Sequence, residues 1–160
     1  MNDQIKETLS SLGPDVVTAT QEFRGEFTVT VDPKAIVSVC TLLRDDAGLA
    51  FDMLIDLTAV DRYRPEARFE VVYHLYSLKN RRYLVIKTHV DEAHPELPSV
   101  TAVWPAANWH ERETFDMFGI KFSGHPDLRR LYMPEEFEYY PLRKDFPLMG
   151  VPDSIPLPRR

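Results

Sequence analysis

The sequence contains a single cysteine, Cys40, among its 160 residues. One thiol excludes an internal disulfide, and it excludes an iron–sulfur or zinc site built only from cysteines of this chain. No apolar run reaches the roughly 18 residues that mark a transmembrane helix. The sequence also lacks a glycine-rich phosphate loop, a nucleophile elbow and a cysteine–histidine dyad. The usual signatures of a cofactor site, a membrane span and a covalent catalyst are therefore missing.

Targeting signals are missing as well. The first residues, MNDQIKETLSS, show neither a basic start followed by an apolar stretch nor an arginine-rich amphipathic pattern. Both features are typical of secretory or organelle-targeting peptides. We therefore expect a cytosolic protein that reaches a membrane only through its partners.

Negative charge predominates, but it is unevenly distributed. The chain has 19 Lys/Arg and 25 Asp/Glu, a net charge of −6. Residues 1–118 hold 12 Lys/Arg and 19 Asp/Glu, a net charge of −7, whereas residues 119–160 hold 7 and 6, a net charge of +1. Acidic proteins are poor general nucleic-acid binders. Length and charge together predict a body, 1–118, with an appended arm, 119–160.

Hydrophobic periodicity predicts the elements of the body. Apolar residues at helical spacing predict a first helix near 5–12 and a second helix after the capping residue Asp32, with Pro33 at its first position. The second helix has an apolar stripe that we expect to be buried: Ile36, Cys40 and Leu43. Alternating apolar residues predict four strands, at 27–31, 51–58, 69–75 and 84–90.

The order of these elements indicates the fold class. In the strand at 51–58, alternation predicts that Phe51, Met53, Ile55 and Leu57 share one face. The link at 79–82 is short enough for a hairpin, and sequential strands with polar faces favour antiparallel pairing. We therefore predict an α+β fold: a mixed, mainly antiparallel sheet with helices packed on one side, followed by an extended C-terminal arm.

The arm cannot bury itself. Residues 119–160 contain 7 of the 13 prolines and lack hydrophobic periodicity. Ordering the backbone costs on the order of 1–2 kcal/mol per residue, which apolar burial must offset. A long irregular segment that is ordered usually lies on another surface. We predict that the arm lies on partner subunits, with an extended end at 150–160.

Charged residues suggest how the arm is held. The helix predicted at 105–118, which ends at Gly119, carries Trp109, Glu113 and Asp116 on one face. The arm offers bases whose geometry suits carboxylates: Arg129, Arg130, Arg143 and Lys144. We predict a charged lattice between helix and arm that fixes the path of the arm. The alternative is a solvated helix face, because exposed ion pairs contribute only about 0–1 kcal/mol.

The same segment permits a metal site or a catalytic pair. His110 and Glu113 lie three residues apart, but di-iron bundles need ligands from several helices, and no second such helix is visible. Glu113, Asp116 and His125 are the candidates for a stand-alone enzyme, which would need a cleft and shifted pKa values. The sequence shows no cleft, and His125 before a proline more readily begins a turn.

Nucleic-acid binding is a further alternative. The arm carries interleaved aromatic residues that could stack on bases: Tyr132, Phe137, Tyr139 and Tyr140. The acidic residues among them, Glu135, Glu136 and Glu138, would repel phosphate. Aromatic residues combined with arginine are the usual anchors of protein interfaces, so we favour a protein partner.

Motifs from residue 49 to 147 resemble a known family. Four lie in the C-terminal part: WHERETFDMFG at 109–119, GHP at 124–126, LRR at 128–130 and PLRKDFP at 141–147. Three lie upstream in the same order: FEVVYHLYSL at 69–78, RYLVIKTHV at 82–90 and PSVTAVWPAANW at 98–109. Together they resemble the C subunit of proton-pumping NADH:quinone oxidoreductase, respiratory complex I.

The resemblance implies a subunit of the hydrophilic, peripheral part of that complex, without catalytic residues, cofactor or metal of its own. FMN, iron–sulfur clusters and quinone would belong to the assembled complex, on the cytoplasmic side of the inner (plasma) membrane. The arm would lie along the large D subunit, with the B and I subunits as further partners. The residues expected at the partner interface are Glu113, Asp116, His125, Arg129, Arg130, Arg143, Lys144 and Asp145.

One departure from the family pattern leaves the relative open. Many members have Trp and Gly before the PLRKDFP motif, where this chain has FEYY at 137–140. Related complexes that accept electrons from ferredoxin or a deazaflavin carry similar subunits. An equivalent subunit of such a quinone or phenazine oxidoreductase is therefore the alternative.

Overall fold

A five-stranded sheet and three helices account for most of the ordered elements. The structure, a computed structural model, describes residues 2–64, 66–147 and 150. Its elements in chain order are α1 (Asn2–Ser10), β1 (Val17–Phe23), β2 (Glu26–Val31), α2 (Ile36–Asp45), β3 (Met53–Asp61), β4 (Phe69–Ser77), β5 (Arg82–Val90), β6 (Glu96–Pro98), α3 (Ala107–Phe118) and β7 (Lys121–Ser123). Among these helices, none has the length and apolar composition needed to cross a bilayer.

The main sheet has the strand order β1-β2-β5-β4-β3. Its neighbouring strands run antiparallel except for β2 and β5, which are parallel. The short strands β6 and β7 form a separate parallel pair. Apolar side chains from all three helices and from the sheet form one buried cluster. These features confirm the predicted α+β class with a mixed, mainly antiparallel sheet.

Helix α2 begins and packs as predicted. The carboxylate of Asp32 accepts the backbone N–H of Lys34 at 2.8 Å, which starts a short 3-10 turn, Pro33–Ala35, that leads into α2. Ile36, Cys40 and Leu43 are all fully buried. Burial raises the pKa of the Cys40 thiol far above its ordinary value, so this cysteine is a small core residue and not a reactive group.

The prediction of which β3 side chains share the buried face was wrong for Met53 and Ile55. The register between β3 and β4 is irregular from Leu54 to Asp56. Such a bulge adds one residue to one strand and reverses which side chains face inward. Leu54 and Leu57 are consequently buried, whereas Met53 is 47% exposed and Ile55 is 39% exposed.

Strand β1 was not predicted, since six of its seven residues are exposed and the seventh is half-buried. An edge strand that is exposed to solvent on both faces has no alternation of hydrophobic and polar residues from which it could be predicted. Its pairing with β2 therefore becomes visible only in three dimensions.

Helix α3 ends at Gly119, as predicted. Gly119 has a φ of 75°, in the left-handed region that favours glycine, and its N–H donates to the carbonyl of Phe115 at 2.8 Å. A Cβ at this position would lie 2.5 Å from Cε2 of Tyr140 and 2.6 Å from Nη2 of Arg143. The arm therefore passes directly over the end of α3. The predicted extended end of the arm, apart from residue 150, lies outside the described residues.

Candidate partner interface

Asp116 is the centre of the contact between α3 and the arm. Its side chain is fully buried. One carboxylate oxygen accepts Nη1 of Arg130 at 2.7 Å. The other accepts three backbone N–H groups, from Leu131 at 3.0 Å, Tyr132 at 2.7 Å and Met133 at 3.1 Å. Burial alone would raise the pKa of this carboxyl, but these hydrogen bonds outweigh burial and hold the pKa below its usual range.

Arg112 supplies a second link, one that the sequence pattern did not reveal. Its Nε donates to the carbonyl of Arg129 at 3.0 Å, and its Nη2 donates to the carbonyl of Arg130 at 3.2 Å. Arg112 and Asp116 lie four residues apart, one turn along the same face of α3. The helix thus binds the start of the arm with one base and one acid. The i, i+4 spacing of the two residues was the available signal.

Glu113 and His125 occupy different surroundings. Glu113 is exposed and, within the described ranges, its carboxylate accepts no hydrogen bond. Nε2 of His125 lies 3.1 Å from the carbonyl oxygen of Asn108, and its Nδ1 accepts the N–H of Asp127 at 2.9 Å. Since Nδ1 is the acceptor, Nε2 carries the proton and donates to Asn108. His125 shapes the turn at the start of the arm, and the interface role of Glu113 stays a prediction.

The arm contacts the body again at the end of β3. Arg68, almost fully buried, donates to both oxygens of Asp61, at 3.1 and 2.9 Å. The same guanidinium lies 2.9 Å from the carboxylate of Asp145. The backbone N–H of Lys144 donates to Asp61 at 2.9 Å. Asp61 and Arg68 were not predicted to participate, because only the fold brings the ends of β3 and β4 to the arm.

Arg143 lies between these two contacts. Its Nε donates to the carbonyl of Phe118 at 2.6 Å. Its guanidinium lies 5.0 Å from the ring centroid of Phe69 and 4.5 Å from that of Tyr140. Burial lowers the pKa of Arg143, so the charge is held by aromatic faces and one carbonyl. Arg129 differs, because its only described ion pair is the exposed one with Asp127.

The arm contains a cluster of aromatic side chains, of which Tyr139 is exposed and the other two are half-buried. Phe137, Tyr139 and Phe146 contact one another with ring centroids 5.7 to 6.5 Å apart. Tyr132 and Leu142 are exposed nearby in the chain. Aromatic groups held on an ordered backbone are typical of the buried centre of protein interfaces. This aromatic cluster, Phe137, Tyr139 and Phe146, is the part of the arm best suited to contact another protein.

His110 does not join Glu113 in a ligand set. Its Nδ1 lies 3.3 Å from a carboxylate oxygen of Asp56 on β3. Within residues 2–64, 66–147 and 150, no group of three or more His, Cys, Asp and Glu side chains is placed to hold a metal ion. The described contacts of His110 tie α3 to the sheet.

Glu111 is a buried acid that the sequence analysis did not single out. It is fully buried, accepts the N–H of Val100 at 2.7 Å and accepts the hydroxyl of Ser99 at 2.6 Å. Burial raises its pKa to about 7, although both hydrogen bonds act in the opposite direction. Glu111 therefore fixes α3 to the loop that precedes it.

The Glu111→Gln variant is expected to remove a pH dependence of stability. In the unfolded chain the carboxyl ionises near its ordinary pKa of 4.5, but in the folded protein it keeps its proton up to about pH 7. Because the unfolded state loses the proton first, the free energy of unfolding falls as the pH rises through this window. In glutamine the amide oxygen still accepts the N–H of Val100, and the amide nitrogen donates to the hydroxyl oxygen of Ser99. Because glutamine cannot ionise, the fall, up to about 3 kcal/mol, should vanish. Urea unfolding at about pH 5 and about pH 8 measures it.

The matched control is Glu113→Gln, an exposed acid on the same helix. We expect this variant to retain the pH dependence of the wild type. An equal slope in the wild type and in Glu111→Gln would contradict the assignment to Glu111.

The sequence matches one family over most of its length. Residues 29–152 match the family described as respiratory-chain NADH dehydrogenase, 30 Kd subunit. The C subunit of NADH-quinone oxidoreductase from Roseiflexus sp. (strain RS-1) is 52% identical over 147 residues, which cover 92% of this chain and 84% of the relative. The C subunit numbered 2 from Rhizobium meliloti (strain 1021) is 53% identical over 131 residues, which cover 82% of this chain and 71% of the relative.

Two solved structures share the fold. A trypsin-resistant fragment of Nqo5 superposes with a TM-score of 0.61 and 30% identity, over 80% of this chain and 100% of the fragment. A chain of the membrane-bound sulfane sulfur reductase, an archaeal respiratory membrane complex, superposes with a TM-score of 0.76 at 24% identity, over 92% of this chain and 86% of that chain. The second similarity concerns the fold alone. The match over residues 29–152 and the identities above one half show that the chain belongs to the family of the 30 kDa subunit of respiratory-chain NADH dehydrogenase.

Proposed function

We propose that this chain is a cofactor-free structural subunit of the peripheral part of proton-pumping NADH:quinone oxidoreductase. The large D subunit is its main partner, and the B and I subunits are further neighbours. FMN, the iron–sulfur clusters and quinone are bound by other chains of the complex. The chain reaches the cytoplasmic face of the membrane through this assembly. It holds the electron-transferring subunits in place and takes no part in the electron transfer itself.

The observation that carries this proposal is the fixation of the arm at two points. Asp116 binds residues 130–133, and the Asp61–Arg68 pair binds residues 144–145. Phe137 and Tyr139 of the aromatic cluster lie between these points in the chain, and Phe146 directly follows the second point. A segment that is already ordered loses less conformational entropy on binding, so a partner gains affinity from the same contacts. The body thus presents the arm in one shape to the D subunit.

The charged residues at the edge of the arm complete this surface. Arg129, Lys144 and Asp145 are exposed, apart from the contacts already described. Charges at the rim of an interface mainly select the partner and its orientation. We assign Arg129 and the side chains of Lys144 and Asp145 to this role, and Arg130 and Arg143 to shaping the arm.

A stand-alone enzyme is less well supported. All of the described hydrogen bonds of the Asp116 carboxylate go to the arm, and its lowered pKa makes it a weak base. His125 has a backbone partner on each ring nitrogen. The geometry therefore favours a scaffold. An equivalent subunit of a ferredoxin- or deazaflavin-linked complex fits the same geometry, and the electron-input module purified with the chain distinguishes the two.

The Arg143→Ala variant is expected to lower the amount of assembled oxidoreductase without changing turnover per assembled complex. Losing this side chain removes the bond to the Phe118 carbonyl and the contacts with Phe69 and Tyr140. Ordering the arm during assembly then costs more conformational entropy, so we expect the amount of assembled complex to fall by about tenfold. The measurement is purification from native membranes through a tag on this chain, followed by partner identification and NADH:quinone activity normalised to iron–sulfur absorbance.

Lys121→Ala, an exposed substitution on β7, is the control and should assemble normally. Wild-type chain recovered alone, colourless and monomeric, would overturn the scaffold proposal. Normal assembly of Arg143→Ala would instead show that the arm is not the point of attachment.

A further inference from the structure

A basic cleft lies at the end of the main sheet where β2 and β5 begin. These parallel strands pair only from Thr28 and Val85 onward. The residues before them have no ladder partner on the facing strand, so the β1–β2 and β4–β5 turns diverge. The gap between them is a cleft of about 390 Å³, lined by Arg24, Glu26, Phe27, Arg81, Arg82 and Tyr83. The arm contacts the opposite end of the sheet, where β3 ends and β4 begins.

Within the part of the chain that the structure describes, the three arginines of the cleft have no carboxylate partner. Among the described residues, Arg24, Arg81 and Arg82 form no ion pair, and Glu26 at the rim forms none either. Nη2 of Arg82 donates to the side chain of Asn2 at 2.9 Å. In contrast, several other arginines of this acidic body have carboxylate partners: Arg44, Arg62 and Arg68.

Each of the two turns holds an arginine in a left-handed backbone conformation. Arg24 and Arg81 both have a φ of 51°, in the left-handed region. Glycine or asparagine adopts this conformation more easily than arginine does. A two-residue hairpin turn of this kind requires positive φ at both positions, so the turn between β1 and β2 accounts for the φ of Arg24. The two turns bring Arg24 and Arg81 to the lining of the same cleft.

Exposed aromatic rings lie in the cleft, at Tyr83, and beside it, at Phe23. Tyr83 is 63% exposed, and its ring centroid lies 4.6 Å from that of Tyr76. Phe23 is 60% exposed, beneath the guanidinium of Arg24 at 5.1 Å. Exposed aromatic rings next to arginines are characteristic of protein-binding sites. A simple phosphate site would require neither ring.

We propose that this basic cleft binds an acidic segment of a neighbouring protein. Carboxylates of the segment pair with Arg24 and Arg81, since the planar guanidinium group matches a carboxylate in two parallel hydrogen bonds. Arg82, held by Asn2, adds positive potential, and an apolar or aromatic residue of the segment packs on Tyr83. A phospholipid surface is disfavoured, because residues 1–118 carry a net charge of −7 that repels an extended anionic surface.

The test uses the full chain and a short fluorescent peptide composed of Glu, Asp and Tyr. Fluorescence anisotropy compares the wild type with the Arg24→Gln/Arg81→Gln variant. Glutamine keeps the unbranched aliphatic stem of arginine and removes its charge. We expect the variant to bind the peptide at least about tenfold more weakly, because two charge-assisted contacts are lost.

The matched control, Arg64→Gln/Lys121→Gln, removes two exposed positive charges elsewhere and should bind within about twofold of the wild type. A peptide with Gln and Asn in place of the acids should not bind. Equal weakening in both variants, or binding of the amide peptide, would overturn the proposal. Binding of phosphate or anionic phospholipid vesicles that depends on Arg24 and Arg81, without peptide binding, would assign the cleft to a phosphate ligand instead.

Discussion

Asp116→Ala is expected to release the arm from α3 while the body stays folded. The substitution removes the acceptor of three backbone N–H groups and of Arg130 in one step. Breaking a buried ion pair from one side typically costs about 3–5 kcal/mol, because the remaining charge loses its partner. Since the body keeps its own core, that cost should appear as local opening of residues 129–147 and not as global unfolding.

Hydrogen exchange of the amides at 131–133 measures this opening directly. We expect their exchange to accelerate by about a hundredfold or more, while amides in β4 and β5 stay protected. Trypsin should also cleave after Arg129 and Arg130 much faster than in the wild type. Asp127→Ala is the control, because among the described residues its carboxylate accepts hydrogen bonds from its exposed neighbour Arg129 and from no part of the body. Equal protection in the two variants would show that Asp116 does not hold the arm.

Arg68→Ala should strongly destabilise the body itself. Arg68 is almost fully buried and contacts three carboxylates, those of Asp61, Glu92 and Asp145. Removing it leaves a buried Asp61 without its base, so we expect the free energy of unfolding to fall by about 3–5 kcal/mol. Urea unfolding near neutral pH measures the loss.

The pH dependence of that loss provides a second test. Burial alone would raise the pKa of Asp61, but hydrogen bonds from Arg68, Lys144 and Tyr63 lower it to about 2, from an ordinary value of 3.8. A lowered carboxyl pKa stabilises the fold above the unfolded value, and this contribution disappears as the pH falls through the folded value. The difference in the free energy of unfolding between the wild type and Arg68→Ala should therefore become smaller as the pH falls from 3.8 to about 2.

Arg62→Ala is the control for both measurements. Its partner Glu70 keeps Lys87 at 3.1 Å and His89 at 3.3 Å, and Arg62 itself is exposed. We expect a loss below about 1 kcal/mol. If the two arginine variants were equally stable, the buried pair at Asp61 would contribute no more than a surface ion pair.

Local patterns were sufficient to predict much of the body. Helix α3 and its end at Gly119 follow from helical spacing and from a residue that tolerates positive φ. Strands β4 and β5 follow from clear alternation and a short link. Strand β1 lacks such a pattern, and the irregular register in β3 depends on its pairing with β4. Neither could be derived from spacing alone.

The contacts of the arm were predicted only in part. Pairing between Asp116 and the basic arm was expected, and the Arg130 contact agrees with it. The role of Asp61 was not foreseen, because Asp61 and Lys144 are 83 residues apart in the chain. Contacts at such separations arise from the assembled fold and have no periodic signature. The contacts of all the predicted interface residues with a partner stay predictions, including those of the exposed Glu113, Arg129 and Lys144.

The two contacts that hold the arm, one at Asp116 and one at Asp61, should form in a fixed order during synthesis. Ribosomes add about 5–20 residues per second, and N-terminal segments fold first. The body is therefore complete before residues 129–147 emerge. Arg130 closes a loop of only 14 residues back to Asp116, and this closure brings Lys144 near an Asp61 that is 83 residues away along the chain. Loop-closure entropy grows with loop length, so the short loop should close first. Because the aromatic cluster includes Phe146, it is complete only in a chain synthesised through residue 146, after the body that holds the arm.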